Sequence, residues 1–175
     1  VTGEEKHYGE RGEIRVLTPC RMRGYYKKPV ETAKYFHSDA HGNVWACTGD
    51  MGYVAEDGNV YVSGRISDSY VNTDGKTVYL FDIERAVLDI PQVRQCKAIA
   101  HEINGVMTHI CHTALIGGAN QEETLRMIKE HCAEKLDATH QPVLFRLYND
   151  ALPVAPSGKL DIRKMQENTD HLVRL

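Results

Sequence analysis

Polar and apolar side chains alternate over residues 13–18 (E-I-R-V-L-T), which predicts a half-buried strand. Pro29, with Glu31, Thr32, Ala33, Tyr35 and Phe36 behind it, predicts a short helix that carries proline in its first turn. Further on, Tyr53-Val54-Ala55 and Val60-Tyr61-Val62 flank Glu56-Asp57-Gly58-Asn59, and an Asp-Gly between apolar runs is a hairpin signal. A second hairpin is expected where Tyr70-Val71-Asn72 and Thr77-Val78-Tyr79 enclose Thr73-Asp74-Gly75-Lys76. The texture then changes. Ile83, Ala86, Val87 and Ile90 fall on one helical face, with Asp82 near the start and Pro91 as the stop. Residues 96–100 and 109–116 read as strands separated by Asn104-Gly105. Residues 121–136 form an amphipathic helix through Leu125, Ile128, Cys132 and Leu136. After Pro142 comes a strand over 143–148, then a loop with Pro153, Pro156, Ser157 and Gly158, then a short helix over 161–166. The chain is thus a β-rich opening block followed by an α+β block, with the boundary placed near residues 64–68.

At 175 residues, with 42% hydrophobic and 26% charged side chains, the chain is long enough for one domain or two small ones, and its composition excludes disordered and collagen-like classes. Twenty-one basic residues against 24 acidic ones give a net charge of −3, so no electrostatic footprint for nucleic acid is present. No apolar run approaches the roughly 18 residues of a membrane span, and residues 1–11 are polar rather than signal-like, which leads to the expectation of a cytoplasmic protein. The chain opens at Val1 without methionine, and a fragment or processed product is expected on that ground. Five scattered cysteines with no C-x-x-C pair argue for reduced, mostly buried thiols rather than a disulfide framework or a zinc ribbon.

Most chemical motifs are missing. Neither G-x-G-x-x-G nor G-x-x-x-x-G-K-[ST] occurs, and Ser157-Gly158-Lys159 alone copies only the tail of a phosphate loop. His109 and His112 are three apart, which puts them on opposite faces of a strand and argues against a metal site there. G-x-S-x-G, the mark of one hydrolase class, is absent as well.

What stands out is an ordered series. Gly9-Glu10-x-Gly12-Glu13-Ile14 is followed by Gly24-Tyr25-Tyr26-x-x-Pro29-x-x-Thr32-x-x-x-Phe36 and Trp45-x-x-Thr48-Gly49-Asp50. Next come Asp57-Gly58, Gly64-Arg65-x-x-Asp68, Gly75 with Asp82-Ile83-Glu84, and finally Leu152-Pro153-x-x-x-Ser157-Gly158-Lys159. In this order the series resembles the carboxyl-terminal part of the adenylate-forming superfamily, the ligases that join a carboxylate to the α-phosphate of ATP and pass the acyl group from AMP to a thiol.

The resemblance implies a fold and a set of roles. The fold is α+β: a small mixed lid domain, with helices packed on a short sheet, preceded by an incomplete β-barrel segment. Residues 1–66 would be the tail of a large amino-terminal β-barrel subdomain, and residues 67–175 the carboxyl-terminal lid. Lys159 would be the catalytic lysine that bridges carboxylate and α-phosphate. Asp50 and Arg65 would hold the ribose of the nucleotide. Ser67 and Asp68 would form the hinge, and Gly75 would lie on the loop presented to CoA. At the hinge the chain departs from the pattern, since Ser67 stands where Asp or Lys is usual and the stretch to Gly75 is one residue longer.

ATP, CoA and a small carboxylic acid are the implied partners, with Mg bound mainly through the amino-terminal domain and no metal ligands on this chain. The superfamily's upstream phosphate loop and most of its acyl pocket have no counterpart in these residues, so the isolated chain is expected to be inactive. Two other readings stay open. One is an adenylation domain that loads the phosphopantetheine of a carrier protein; the other is a noncatalytic binding module.

Overall fold

A computed structural model describes residues 4–175. The chain divides into two compact units, Val1–Ser67 and Asp68–Leu175.

Unit 1 is built on one long strand. β1 (Gly12–Val16), α1 (Pro29–Tyr35), β2 (Phe36–Ser38), β3 (Val44–Val54) and β4 (Val60–Arg65) follow in order. β1 pairs antiparallel along one side of β3, with Val16 opposite Ala46 and Gly12 opposite Gly52. β2 takes the other side at its start, Phe36 opposite Ala46, and β4 the same side at its end, from Val54–Val60 to Asp50–Arg65. The register slips between Met51 and Gly52. A side chain at position 52 would collide with the Tyr61 carbonyl oxygen and come within 2.6 Å of Ile14 Cδ1, so the bulge needs glycine. Asp39 holds the turn into β3: its carboxylate accepts hydrogen bonds from the backbone N–H groups of His41 and Asn43, from Asn43 Nδ2, and from Trp45 Nε1 at 2.9 Å. These donors draw its carboxyl well below the usual range, with Trp45 the largest cause. Among the described residues no barrel closes, and Ala46 is the one apolar side chain of this unit that is fully buried.

Unit 2 has a core of its own. β5 (Ser69–Val71) and β6 (Thr77–Tyr79) form the expected hairpin, and the chain passes directly into α2 (Leu80–Leu88). β7 (Val93–Ile103) and β8 (Val106–Leu115) are an antiparallel pair longer than the apolar runs suggest; Asn104 and Gly105, at φ 52° and 77°, make the two-residue turn between them. α3 (Gln121–Lys135), capped by the Asn120 side chain on Glu123 N, crosses over to β9 (Leu144–Tyr148), which lies parallel to β8. α4 (Ile162–Glu167) and a short β10 (Val173–Arg174) complete the sheet order β10-β9-β8-β7.

Alternation along the strands makes two apolar layers. Ala98, Cys111 and Phe145 meet Ile83, Val87, Leu125, Ile128 and Cys132 from α2 and α3. Ile99 and Ala114 pack with Leu152 and Met165 in a second cluster. The mixed architecture is the α+β class that the sequence pattern predicts. β2, β10 and the isolated bridge Val154–Leu160 are too short to leave a periodic signal. Cys96, Cys111 and Cys132 are buried, Cys47 half-buried and Cys20 exposed, and all five are free thiols. No helix among the described residues is long and apolar enough to cross a membrane.

Candidate functional site

The Thr-Gly-Asp turn explains its own spacing. Thr48 donates its hydroxyl to the Ile14 carbonyl at 2.8 Å and accepts the Asp50 N–H at 3.0 Å, fixing the strand just before the carboxylate. Gly49 takes φ 71°, a left-handed value that favours glycine, and its carbonyl receives the Ile66 N–H at 2.9 Å. The register then sets Asp50 directly opposite Arg65. Arg65 Nη1 donates to Thr48 O at 2.7 Å and to Asp50 Oδ1 at 3.1 Å. With the arginine side chain 59% exposed and the aspartate 32%, the pair faces solvent and contributes about 0.2–1 kcal/mol to folding. Its value is positional. One carboxylate oxygen is anchored, and an ionised carboxylate held this way can accept hydrogen bonds from a diol.

Lys159 sits at the end of a tight loop. Val154 bridges Leu160, Ala155 N donates to Lys159 O at 2.8 Å, and Gly158 at φ 79° donates to Ala155 O at 2.9 Å. Asp161 closes the loop through Pro153 O and then caps α4 by accepting the Lys164 N–H at 3.0 Å. The backbone at Lys159 is therefore pinned on both sides, whereas its side chain is exposed and enters no ion pair among the described residues. A mobile cation on a rigid turn results.

Gly75, at φ 74°, lies in the β5–β6 turn, where the Asn72 side chain accepts the N–H groups of Asp74 and Lys76. No atom approaches within 4 Å of the place a Cβ would occupy there. Ser67 is exposed and ends unit 1.

Asp68 opens unit 2 and is held firmly within it. Lys97 Nζ lies 2.8 Å from Asp68 Oδ2 and 2.9 Å from Glu84 Oε1, and Glu84 also accepts the Ala98 N–H at 3.0 Å. Since β7 is an edge strand, Glu84 thereby caps a backbone donor the sheet leaves open. Burial pushes the Glu84 carboxyl up against the pull of Lys97 and the Ala98 N–H. Burial also pulls Lys97 down, but its hydrogen bonds and charge contacts with Asp68 and Glu84 outweigh it and its net shift is upward, which favours the ammonium form. Lys97 carries no motif signal; only the strand register places it beside Asp68.

His109 and His112 lie on opposite faces of β8, and each meets a phenol at 2.9 Å, His109 with Tyr70 and His112 with Tyr148. Burial, with His140 adding to it for His109 and His101 and Arg146 for His112, lowers both to about 4. Among the described residues no three His, Cys, Asp or Glu side chains are grouped closely enough to hold a metal ion.

The sites fall in both units: Asp50 and Arg65 are brought together in unit 1, while Asp68, Gly75 and Lys159 belong to unit 2. No family model matches the chain. Among curated proteins it is 32% identical over 165 residues to the 2-succinylbenzoate–CoA ligase of Bacillus licheniformis, covering 93% of this chain and 32% of that one. It is 28% identical over 173 residues to the D-alanine–D-alanyl carrier protein ligase of Streptococcus pyogenes, covering 93% and 33%. Among solved structures, the O-succinylbenzoate coenzyme A synthetase (MenE) of Bacillus subtilis in complex with AMP superposes with a TM-score of 0.70 at 25% identity, over 97% of this chain and 32% of that one. The chain spans about a third of the length of the relatives it matches. In sequence and in fold it belongs to the adenylate-forming superfamily, as a counterpart of the carboxyl-terminal part of those ligases.

Proposed function

We propose that the chain is the lid domain, with the preceding tail of the large β-barrel subdomain, of an AMP-forming acid–thiol ligase. The observation that carries the reading is the pairing of two built features in one family context. A carboxylate is anchored opposite an arginine by strand register, and a lysine with no ion-pair partner among the described residues directly follows a glycine turn.

In this reading Asp50 accepts hydrogen bonds from the ribose hydroxyls of ATP through the oxygen that Arg65 does not hold, and Arg65 keeps further donors free to reach the same sugar. As the substrate carboxylate attacks the α-phosphate and pyrophosphate leaves, Lys159 spans the two negative groups and offsets their repulsion. Its exposed stem and pinned backbone suit a group that enters with a closing domain. Ser67 and Asp68 form the hinge, and the Lys97 contact keeps Asp68 with the lid as it turns. The Gly75 turn, open where a Cβ would project, would let the thiol arm of CoA pass close to the backbone. The phosphate loop, acyl pocket and Mg site belong to the remainder of the ligase, so residues 1–175 alone do not catalyse adenylation. We place the ligase in the cytoplasm.

CoA is the acceptor in the first reading. The D-alanyl carrier protein ligase among the relatives favours a second, in which the thiol is the phosphopantetheine of a carrier protein. Supplying CoA and a phosphopantetheinylated carrier in turn to the full-length ligase separates them.

The role of Lys159 is tested in that full-length ligase. Lys159→Ala should lower pyrophosphate exchange by on the order of 10²–10³ while leaving thiolysis of supplied acyl-AMP far less affected. Equal losses in both half-reactions would remove the assignment.

A further inference from the structure

Unit 2 opens at the end of β9 into a cleft of about 550 Å³ lined in part by Gln121, Arg146, Tyr148, Asn149, Asp150 and His171. None of Asp50, Arg65, Gly75 and Lys159 is among its lining residues. That volume falls in the range of small-molecule sites, about 300–1,000 Å³.

Arg146 is the unusual wall residue. It is half-buried, its Nε is closed off from solvent, and that atom has no hydrogen-bond partner. No described carboxylate forms an ion pair with it. A guanidinium only donates; the Tyr148 hydroxyl already takes one of its contacts, and the partial desolvation of the remaining N–H groups is offset when an anion takes them. Its Cζ stands 5.5 Å from the centroid of the Tyr148 ring, and the Tyr148 hydroxyl is fixed by His112 Nδ1 at 2.9 Å. The cation is therefore held against a rigid aromatic wall. Gln121 Nε2 donates to Asn149 Oδ1 at 3.5 Å, which orients the Asn149 amide with its own Nδ2 donors left over. Asp150 is the one carboxylate on the lining; it is exposed and turned to other use only through its backbone carbonyl, which accepts from Arg94 Nη1 at 3.4 Å.

We propose that this cleft binds a phosphomonoester with an organic body, the phosphate anchored by Arg146 and the body lying against Tyr148. Phosphate fits better than carboxylate because the lining carries a guanidinium and a primary amide, and three terminal phosphate oxygens offer more acceptors to those N–H donors than two carboxylate oxygens do. Asp150 weakens the site without abolishing it.

The test uses the ¹⁵N-labelled 175-residue chain at constant ionic strength, titrated separately with inorganic phosphate, phenyl phosphate and acetate. Saturable shifts of the Arg146 Nε–H and the Asn149 side-chain amide are expected, with phenyl phosphate tighter than phosphate and acetate weakest. Arg146→Gln should weaken binding about tenfold or more, and Asp150→Asn should tighten it about two- to threefold. Should Arg146→Gln fail to fold, the surface pair Asn149→Asp and Asp150→Asn decides, one weakening and the other strengthening the site. The proposal is overturned by the absence of saturable shifts up to about 20 mM phosphate, by equal affinity in the Arg146 variant, by acetate binding as tightly as phosphate, or by no change in the surface pair.

Discussion

Unit 1 and unit 2 solve the problem of burial very differently. Unit 2 folds two apolar layers around its sheet, with Val78, Ile83, Val87, Ile110, Cys111 and Phe145 wholly removed from solvent. Unit 1 buries Ala46 and leaves Val54, Val60, Tyr61 and Val62 exposed along β3 and β4. Backbone pairing and local caps such as Asp39 hold its strands, rather than a packed interior. The proposed site residues are therefore mounted differently. The lysine loop and the glycine turn stand on a body with its own core, whereas the Asp50–Arg65 pair stands on a sheet that needs further apolar cover.

The largest expected contrast is in core substitutions. Phe145→Ala should cost about 3–5 kcal/mol by denaturant unfolding, and Val62→Ala less than about 0.5 kcal/mol. Comparable losses at the two positions would erase the distinction.

Acid should act on unit 2 through its buried histidines. His109 and His112 are lowered to about 4 from an unfolded value of 6.5, so the unfolded state binds more protons. Their stabilising contribution is complete above pH 6.5 and is lost as the pH falls toward 4. Each histidine accounts for on the order of 3 kcal/mol across that window. His112→Gln should flatten the decline of unit 2 stability below pH 6.5, and an unchanged pH profile would contradict the burial argument.

A smaller effect is expected at Lys97, where Lys97→Met leaves Glu84 buried beside Asp68 without its cation. About 1–3 kcal/mol should be lost at pH 7, and less at pH 4 where Glu84 is protonated. A loss independent of pH would show that the ion network does not hold the start of unit 2.

The smallest structural effect belongs to the Asp50–Arg65 pair. Asp50→Ala should shift stability by less than about 1 kcal/mol, yet raise the KM for ATP in the full-length ligase more than that for the acid. Equal use of ATP and 2′,3′-dideoxy-ATP by that ligase would contradict the ribose contact.

The sequence made much of this legible, unevenly. Helical faces such as Ile83-Ala86-Val87-Ile90 and the Asp-Gly and Asn-Gly turns are local signals, and they mark α2 and the hairpins directly. The ordered glycines and Thr48-Gly49-Asp50 mark the family, and the structure supplies the reason for that spacing in the Thr48 hydrogen bonds and the Gly49 φ angle. What pattern could not show depends on register between distant residues. Lys97 meets Asp68 and Glu84 across 29 and 13 positions, and nothing local marks a lysine on a strand as a clamp. Arg146 and Tyr148 belong to an ordinary alternating strand, and only the cleft beside β9 distinguishes them. V-Y-V reads as a buried strand whether or not a neighbour covers it, so the thin core of unit 1 is implied only by the resemblance, which makes these strands part of an incomplete β-barrel segment.

The most direct measurement is amide hydrogen exchange on the 175-residue chain, read segment by segment. The account predicts strong protection from Val78 to Tyr148 and much weaker protection before Gly64, the two regions exchanging as separate cooperative units. A single, uniformly protected unit across both regions would contradict it.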